Sequence, residues 1–246
     1  TVLPGDLRVG FNPTVTDIND AGQIVFGTRV LNADGSSPTS TSDSGIYIQQ
    51  PDGTLTEVVR ATGGTALDSI DNLESSFARL DDAGNAFFTA QRRVNLDNRG
   101  LYTNAGGFRQ IARLGGLVVV NDGEGNSEVV EITEFHDPTG FAVGGPGEVA
   151  FRVRARQNSF PNDERNAILH WSNGTLVERV TETDEVLGLP DGLSIDLAPT
   201  LSPADTGMAF NSLGTLGFLA QIGVSDKALI ASLKSGNLGA VGLDVY

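Results

Sequence analysis

The chain has 246 residues, 39% hydrophobic and 19% charged, a balance typical of a folded globular protein long enough to bury a sizeable core. Its 31 acidic and 16 basic residues leave a net charge of −15, which repels phosphate backbones and anionic lipid and argues against nucleic acid and membrane-surface partners. No stretch approaches the roughly eighteen apolar residues needed to span a bilayer, and the absence of cysteine excludes disulfides, thiolate metal sites and a cysteine nucleophile.

Residues 1–6 open the chain with neither an initiator methionine nor a signal-like segment, as in a processed or excised product. They look like the ends of later units at 59–63 and 112–115, so residues 1–7 are expected to close a ring or to pair with a neighbouring molecule. Beyond them one phrase recurs. A phenylalanine preceded four residues earlier by glycine stands at Gly22/Phe26, Gly84/Phe88, Gly147/Phe151 and Gly214/Phe218, at spacings of 62, 63 and 67 residues. A second landmark follows at Gly45-Ile-Tyr47, Gly100-Leu-Tyr102, Ala167-Ile-Leu169 and Ala228-Leu-Ile230. The third is a turn, at Asp52-Gly53, Gly106-Gly107, Asn173-Gly174 and Gly236-Asn237, and an apolar re-entry comes after it.

Four landmarks in one order divide a single domain into units of approximately 8–62, 63–116, 117–188 and 189–246. Each unit reads as four strands. The first carries Val15, Phe77, Phe141 or Met208, and the second carries the anchor phenylalanine. The third and fourth form a hairpin, because Asp-Gly and Asn-Gly supply the positive φ angles of a tight turn. Around Phe151, Val149, Val153 and Ala155 share the phenylalanine's parity, and Arg152, Arg154 and Arg156 take the opposite one; this places the ring between packed sheets. Residues 226–234 have helical composition, but the repeat assigns them to the third strand of unit four. A lone four-stranded sheet leaves both faces unsatisfied, so the expected fold is all-β, a β-propeller-like array of four antiparallel four-stranded sheets.

The segment Asp17-Ile-Asn-Asp-Ala-Gly-Gln-Ile-Val-Phe26, followed by Gly45-Ile-Tyr47 and Gly53-Thr-Leu55, resembles a tandem repeat of exported bacterial surface or anchored proteins. Unit two keeps Asp81-Asp-Ala-Gly84, and units three and four have drifted. The resemblance implies a propeller-like fold and an extracellular or cell-surface location. It implies no activity and brings no functional residues with it.

Chemistry is sparse. His136 and His170 are the two histidines, and neither has the partner spacing of a triad or a metal site. No Gly-x-Ser-x-Gly elbow is present. Asp17/Asn19/Asp20, Asp81/Asp82 and the 121–128 loop offer oxygen ligands for Ca2+, but no EF-hand spacing, and Asp and Asn also favour turns for local reasons. The arginine stripe Arg152/Arg154/Arg156, with Arg92/Arg93 a unit earlier, could meet an anionic glycan; the preferred reading is ion pairing with carboxylates on adjacent strands. No catalytic, cofactor or metal residue is assigned. The expectation is an exported structural or interaction module, a subunit of a surface layer or fibre that associates with itself or other surface proteins; whether it is an enzyme stays open, with a non-enzymatic role favoured. The alternative is a propeller that binds or cleaves carbohydrate, using the loops at 36–44 and 158–165.

Overall fold

The computed structural model describes residues 2–3, 7–10, 14–32, 34–36, 44–61, 70–73, 77–92, 99–121, 125–135, 140–157, 164–181, 195–196, 208–218 and 221–222. These residues are all-β, and no helix among them is long and apolar enough to cross a membrane.

The first sheet holds β1 (Val2–Leu3), β2 (Leu7–Val9), β3 (Thr14–Ile18), β4 (Ile24–Leu31), β5 (Ser44–Gln49) and β6 (Leu55–Arg60). The second holds β7 (Ile70–Leu73), β8 (Arg79–Leu80), β9 (Ala86–Arg92), β10 (Arg99–Thr103) and β11 (Arg109–Arg113). The third holds β12 (Leu117–Asn121), β13 (Ser127–Phe135), β14 (Phe141–Val143), β15 (Glu148–Gln157), β16 (Glu164–Ser172) and β17 (Thr175–Thr181). Beyond them β18 (Ile195–Asp196) pairs with β21 (Gln221–Ile222), and β19 (Met208–Phe210) pairs with β20 (Leu216–Phe218).

The four landmarks map onto equivalent pairings. Val15, Phe141 and Met208 each stand opposite their anchor phenylalanine across an antiparallel pair; Phe77 stops two residues short of β8. The anchors Phe26, Phe88 and Phe151 then face Tyr47, Tyr102 and Leu169 on the next strand. A β-bulge falls at the same place in all three sheets, between Ile46 and Tyr47, Leu101 and Tyr102, and Ile168 and Leu169. A bulge re-aims the side chain beside it. Here it leaves Tyr47 and Tyr102 fully buried, each hydroxyl meeting a fourth-strand side chain, Glu57 or Gln110.

Glycine in the Gly-x-Tyr phrase has a steric cause. A Cβ on Gly45 would lie 2.6 Å from the Tyr47 ring, and one on Gly100 would lie 3.0 Å from the Tyr102 ring. In the third sheet leucine replaces tyrosine, and the glycine position becomes Ala167. The glycine before each anchor phenylalanine has a different cause. Gly22, Gly84, Gly147 and Gly214 all adopt φ between 73° and 81°, which is costly for a residue carrying a Cβ.

Consecutive sheets pack face to face. Phe88 and Tyr102 share a cluster with Val25, Ile46 and Ile48 of the first sheet. Phe151 and Leu169 share one with Phe87 and Leu101 of the second. Phe218 and Leu216 pack on Ala150 and Ile168 of the third. Three anchor rings thus turn toward the preceding sheet, as side-chain parity requires, and Phe26 takes the equivalent face of the first sheet with Val9, Val30 and Tyr47. The expected propeller is met as far as this stacking of antiparallel sheets; the described residues do not trace a closed four-bladed ring.

The expectation of four strands per sheet is exceeded, because the long second strand is shared. Its first half pairs with β3, β8 or β14, and its second half pairs with β2, β7 or β13. Within and beside residues 1–7, expected to close the ring or reach a neighbour, β1 pairs with β2, and β2 lies along β4 of the same sheet. In the third sheet the extra hairpin continues further. β13 pairs with β15, and β12 reaches round to β17, which closes β12, β13, β15, β16 and β17 into a five-stranded barrel-like ring. A meander of five strands begins and ends in the same direction, so the closing β12–β17 pair is necessarily parallel, and it is. Residues 219–220 and 223–246, which include the assignment of 226–234, lie outside the described residues.

Candidate functional site

The turn before each anchor phenylalanine fixes the row along which the sheets meet. Asn19, Asp81 and Asn211 each accept, through the side-chain oxygen, the N–H of the residue four positions on, at 2.8–3.0 Å. These turns also touch one another. Asn19 Nδ2 donates to the Asp81 carbonyl at 2.9 Å, Gly147 N–H donates to Asp81 Oδ2 at 2.7 Å, and Leu80 N–H donates to Asp17 Oδ2 at 2.9 Å. Asp81 is buried and accepts four hydrogen bonds, which fills both carboxylate oxygens. Of the oxygens considered for Ca2+, those of Asp81, Asn19 Oδ1 and Asp17 Oδ2 accept from protein donors. No cluster of three or more His, Cys, Asp or Glu suited to a metal occurs among the described residues.

Beside this row lies a cleft between the second and third sheets. Trp171 on β16 pairs with Val149 and Leu176, sets its ring edge-on to Phe87 at 6.2 Å, and is 4% exposed. Its cover is Arg109, the first residue of β11. The guanidinium lies 6.0 Å from the indole centroid, and Nη2 donates to the Gly106 carbonyl at 3.0 Å. Hollows of about 300 and 350 Å3 flank the pair. The first is walled by Asn85, Asn173, Gly106 and Gly147, the second by Gln110, Ile111, Val118 and Leu176. Asn173 has φ +49° in the Asn-Gly hairpin turn, and its backbone N–H donates to the Gly147 carbonyl at 3.4 Å, which holds it at the mouth of the first hollow. A guanidinium presents a planar fork of donors and no acceptor, so this cleft is suited to binding an anion.

Of the residues singled out in the sequence, His170 is buried under the fourth unit. Its ring meets Phe210 edge-on at 5.0 Å, and Nδ1 accepts from Arg179 at 2.9 and 3.2 Å. That contact leaves the proton on Nε2, which faces Glu148 at 3.9 Å. Burial, and then the Arg179 charge, holds the imidazole below its ordinary pKa, with Glu148 pulling the other way. His136 and Arg93 lie outside the described residues, as do 37–43, 122–124 and 158–163; nothing is described of the Arg92 side chain.

Two arginines of the stripe meet carboxylates on the adjacent strand. Arg156 donates through Nε and Nη2 to Glu131 at 3.0 and 2.7 Å, and Arg154 pairs with Glu134 at 3.1 Å. Arg152 is buried, which lowers its pKa. On the interior face of the ring Arg165 pairs with Glu128 and Glu178, and Gln157 donates to Glu128. Burial works against the charge of Arg165, but the two carboxylates outweigh it and raise its pKa above the ordinary value. Sequence reading did not find the Arg109–Trp171 cleft. The two residues stand in different units, and each has only a local signal, a turn for one and a core strand for the other.

No curated protein and no solved structure matches the chain. One family profile matches residues 3–241, nearly the whole length. The match establishes neither the repeat family nor the export that the sequence resemblance implied. The chain belongs to this family, DUF7453, a family of unknown function.

Proposed function

We propose that the chain is a structural and interaction module of an exported bacterial protein, its four units the blades of a β-propeller that associates with like surfaces. The supporting observation is the pair of unmatched ends. In the second, third and fourth units the face bearing the anchor phenylalanine is covered by the sheet before it. On the first sheet, Val15 shares that face and is 64% exposed, and Ile18 on the same strand is 61% exposed. At the other end Ala209 and Gly217, whose parity turns them away from the third sheet, are exposed. A heterologous contact of this kind closes into a ring when its rotation allows and otherwise propagates as a filament.

Sedimentation velocity over a wide concentration range tests this reading, with the wild type beside Val15→Asp/Ile18→Asp. Concentration-dependent oligomers lost in the variant support assembly. A wild type monomeric at every concentration, with a melting temperature indifferent to the substitutions, overturns both the ring and the fibre.

A further inference from the structure

We propose that the Arg109–Trp171 cleft binds a carboxylate-bearing saccharide, with Arg109 as its anion fork and Trp171 as its stacking face. This inference does not depend on the assembly reading. It places the carbohydrate alternative at a position other than the loops expected from sequence.

The first argument is charge. Acidic residues outnumber basic ones 31 to 16, and Arg60, Arg154, Arg156 and Arg165 all have carboxylate partners. Among the described residues Arg109 has none within 4 Å, and neither has Arg79, held by carbonyls, or Arg179, held by His170; what sets Arg109 apart is its place over an aromatic face, with one carbonyl as its other contact. A guanidinium left without a carboxylate in so acidic a chain, at the wall between two hollows, offers an anion a planar, bidentate partner.

The second argument is shape. Trp171 is packed into the core on one side, against Phe87, Val149 and Leu176, and has the Arg109 guanidinium 6.0 Å from its ring centroid. A single cation–π contact competes poorly with a charge-assisted bidentate pair, so a ligand carboxylate draws the fork off the indole face. A pyranose presents the complementary surface, a C–H face for the ring and hydroxyls at its rim. The Asn85 and Asn173 side-chain amides line this hollow where those hydroxyls reach, with Asn85 Nδ2 itself held by Asp81. The second hollow, lined by Ile111, Val118 and Leu176, accepts the apolar face of the adjoining sugar. The net charge of −15 opposes non-specific adhesion of a polyanion, so retention of one requires a site.

Trp171 is the sole tryptophan, and its emission therefore reports on this cleft alone. The protein is titrated with trigalacturonate, with neutral maltotriose, and with a short peptide ending in leucine. The expected result is a saturable emission change with trigalacturonate and binding of maltotriose weaker by about tenfold or more. Arg109→Ala should abolish the response, and Arg109→Lys, which keeps the charge but loses the fork, should weaken it by about tenfold. Asn173→Gly tolerates the turn's positive φ and removes the amide; it should reduce affinity while leaving the melting temperature in place, which keeps the test decisive if Arg109→Ala fails to fold. No saturable change in the wild type, or equal binding by Arg109→Lys and Asn173→Gly, overturns the proposal. Response to the peptide but not to the saccharide also overturns it and reassigns the cleft to chain termini.

Discussion

The first two sheets and the third are built on the same four strands, with the same bulge and the same left-handed glycine, yet they end differently. Among the described residues the first two remain open, with β6 and β11 as edge strands, and the third closes on itself through β12 and β17. They also differ inside: Gly-x-Tyr in the first two becomes Ala-x-Leu in the third. The register of a unit is thus set by its landmarks, the turn glycine, the anchor ring and the bulge. What lies outside that frame is free to vary, and the variation decides whether an edge is left for something else to cover.

If the frame is equivalent in all three sheets, its anchor rings are energetically equivalent. Phe88 is fully buried, with ring centroids 6.0 Å from Tyr102 and 6.2 Å from Phe108, and Phe151 stacks on Phe135 at 6.2 Å. Phe88→Ala and Phe151→Ala should each cost about 3–5 kcal/mol in denaturant melts. A cost of about 1 kcal/mol or less at one position, the range of surface changes, breaks the comparison there.

The glycine–tyrosine coupling sharpens it. Gly45→Ala should cost about 1–3 kcal/mol, because the new methyl group meets the Tyr47 ring at 2.6 Å. Tyr47→Leu in the same chain should relieve part of that cost, as the third sheet already does with Ala167 and Leu169. A double-mutant cycle with no coupling sinks the steric explanation.

His170 gives the third sheet a pH dependence. Its folded pKa lies below the ordinary value of 6.5, so the unfolded chain takes up a proton first as pH falls through about 6.5. Stability from this group is complete above that pH, declines as pH drops toward the folded pKa, and then levels off. His170→Gln should flatten that part of the profile measured by thermal melts across pH 5–8. An unchanged slope assigns the dependence elsewhere.

The smallest effect belongs to the barrel's outer face. Arg156 and Glu131 are each about a third exposed, and their coupling should be about 0.2–1 kcal/mol in a double-mutant cycle, shrinking as salt is added. A larger coupling that persists in high salt makes the stripe a structural clamp and not a solvated ladder.

Much of this frame was legible in the residues themselves. Glycine four before phenylalanine predicts a turn and the strand after it, and period-two parity around Phe151 predicts which side of that strand meets the second sheet. The arginine stripe was readable as an ion-paired face for the same reason. The β1–β2 hairpin was not, because strands of two and three residues carry too little pattern to separate them from a tail. Ring closure was not legible either. Leu117-Val-Val-Val120 stands out as an apolar run, but nothing local says that Val120 will lie beside Leu176. The Arg109–Trp171 cleft escaped on the same ground, as a product of the stacking of two sheets.

The parallel seam also sets an order of events. β12 and β13 join through a short loop and β16 and β17 through a two-residue turn, so both can form as soon as they are made. The seam joins residues 55 apart, Asn121 Nδ2 donating to the Leu176 carbonyl, and has to wait for the later strand. At a synthesis rate of about 5–20 residues per second, the edge of β12 stays bare for roughly 3–11 s after it leaves the ribosome. During that interval Leu117 and Val119 border an unpaired strand, the moment at which a nascent chain is most exposed to pairing with the wrong neighbour.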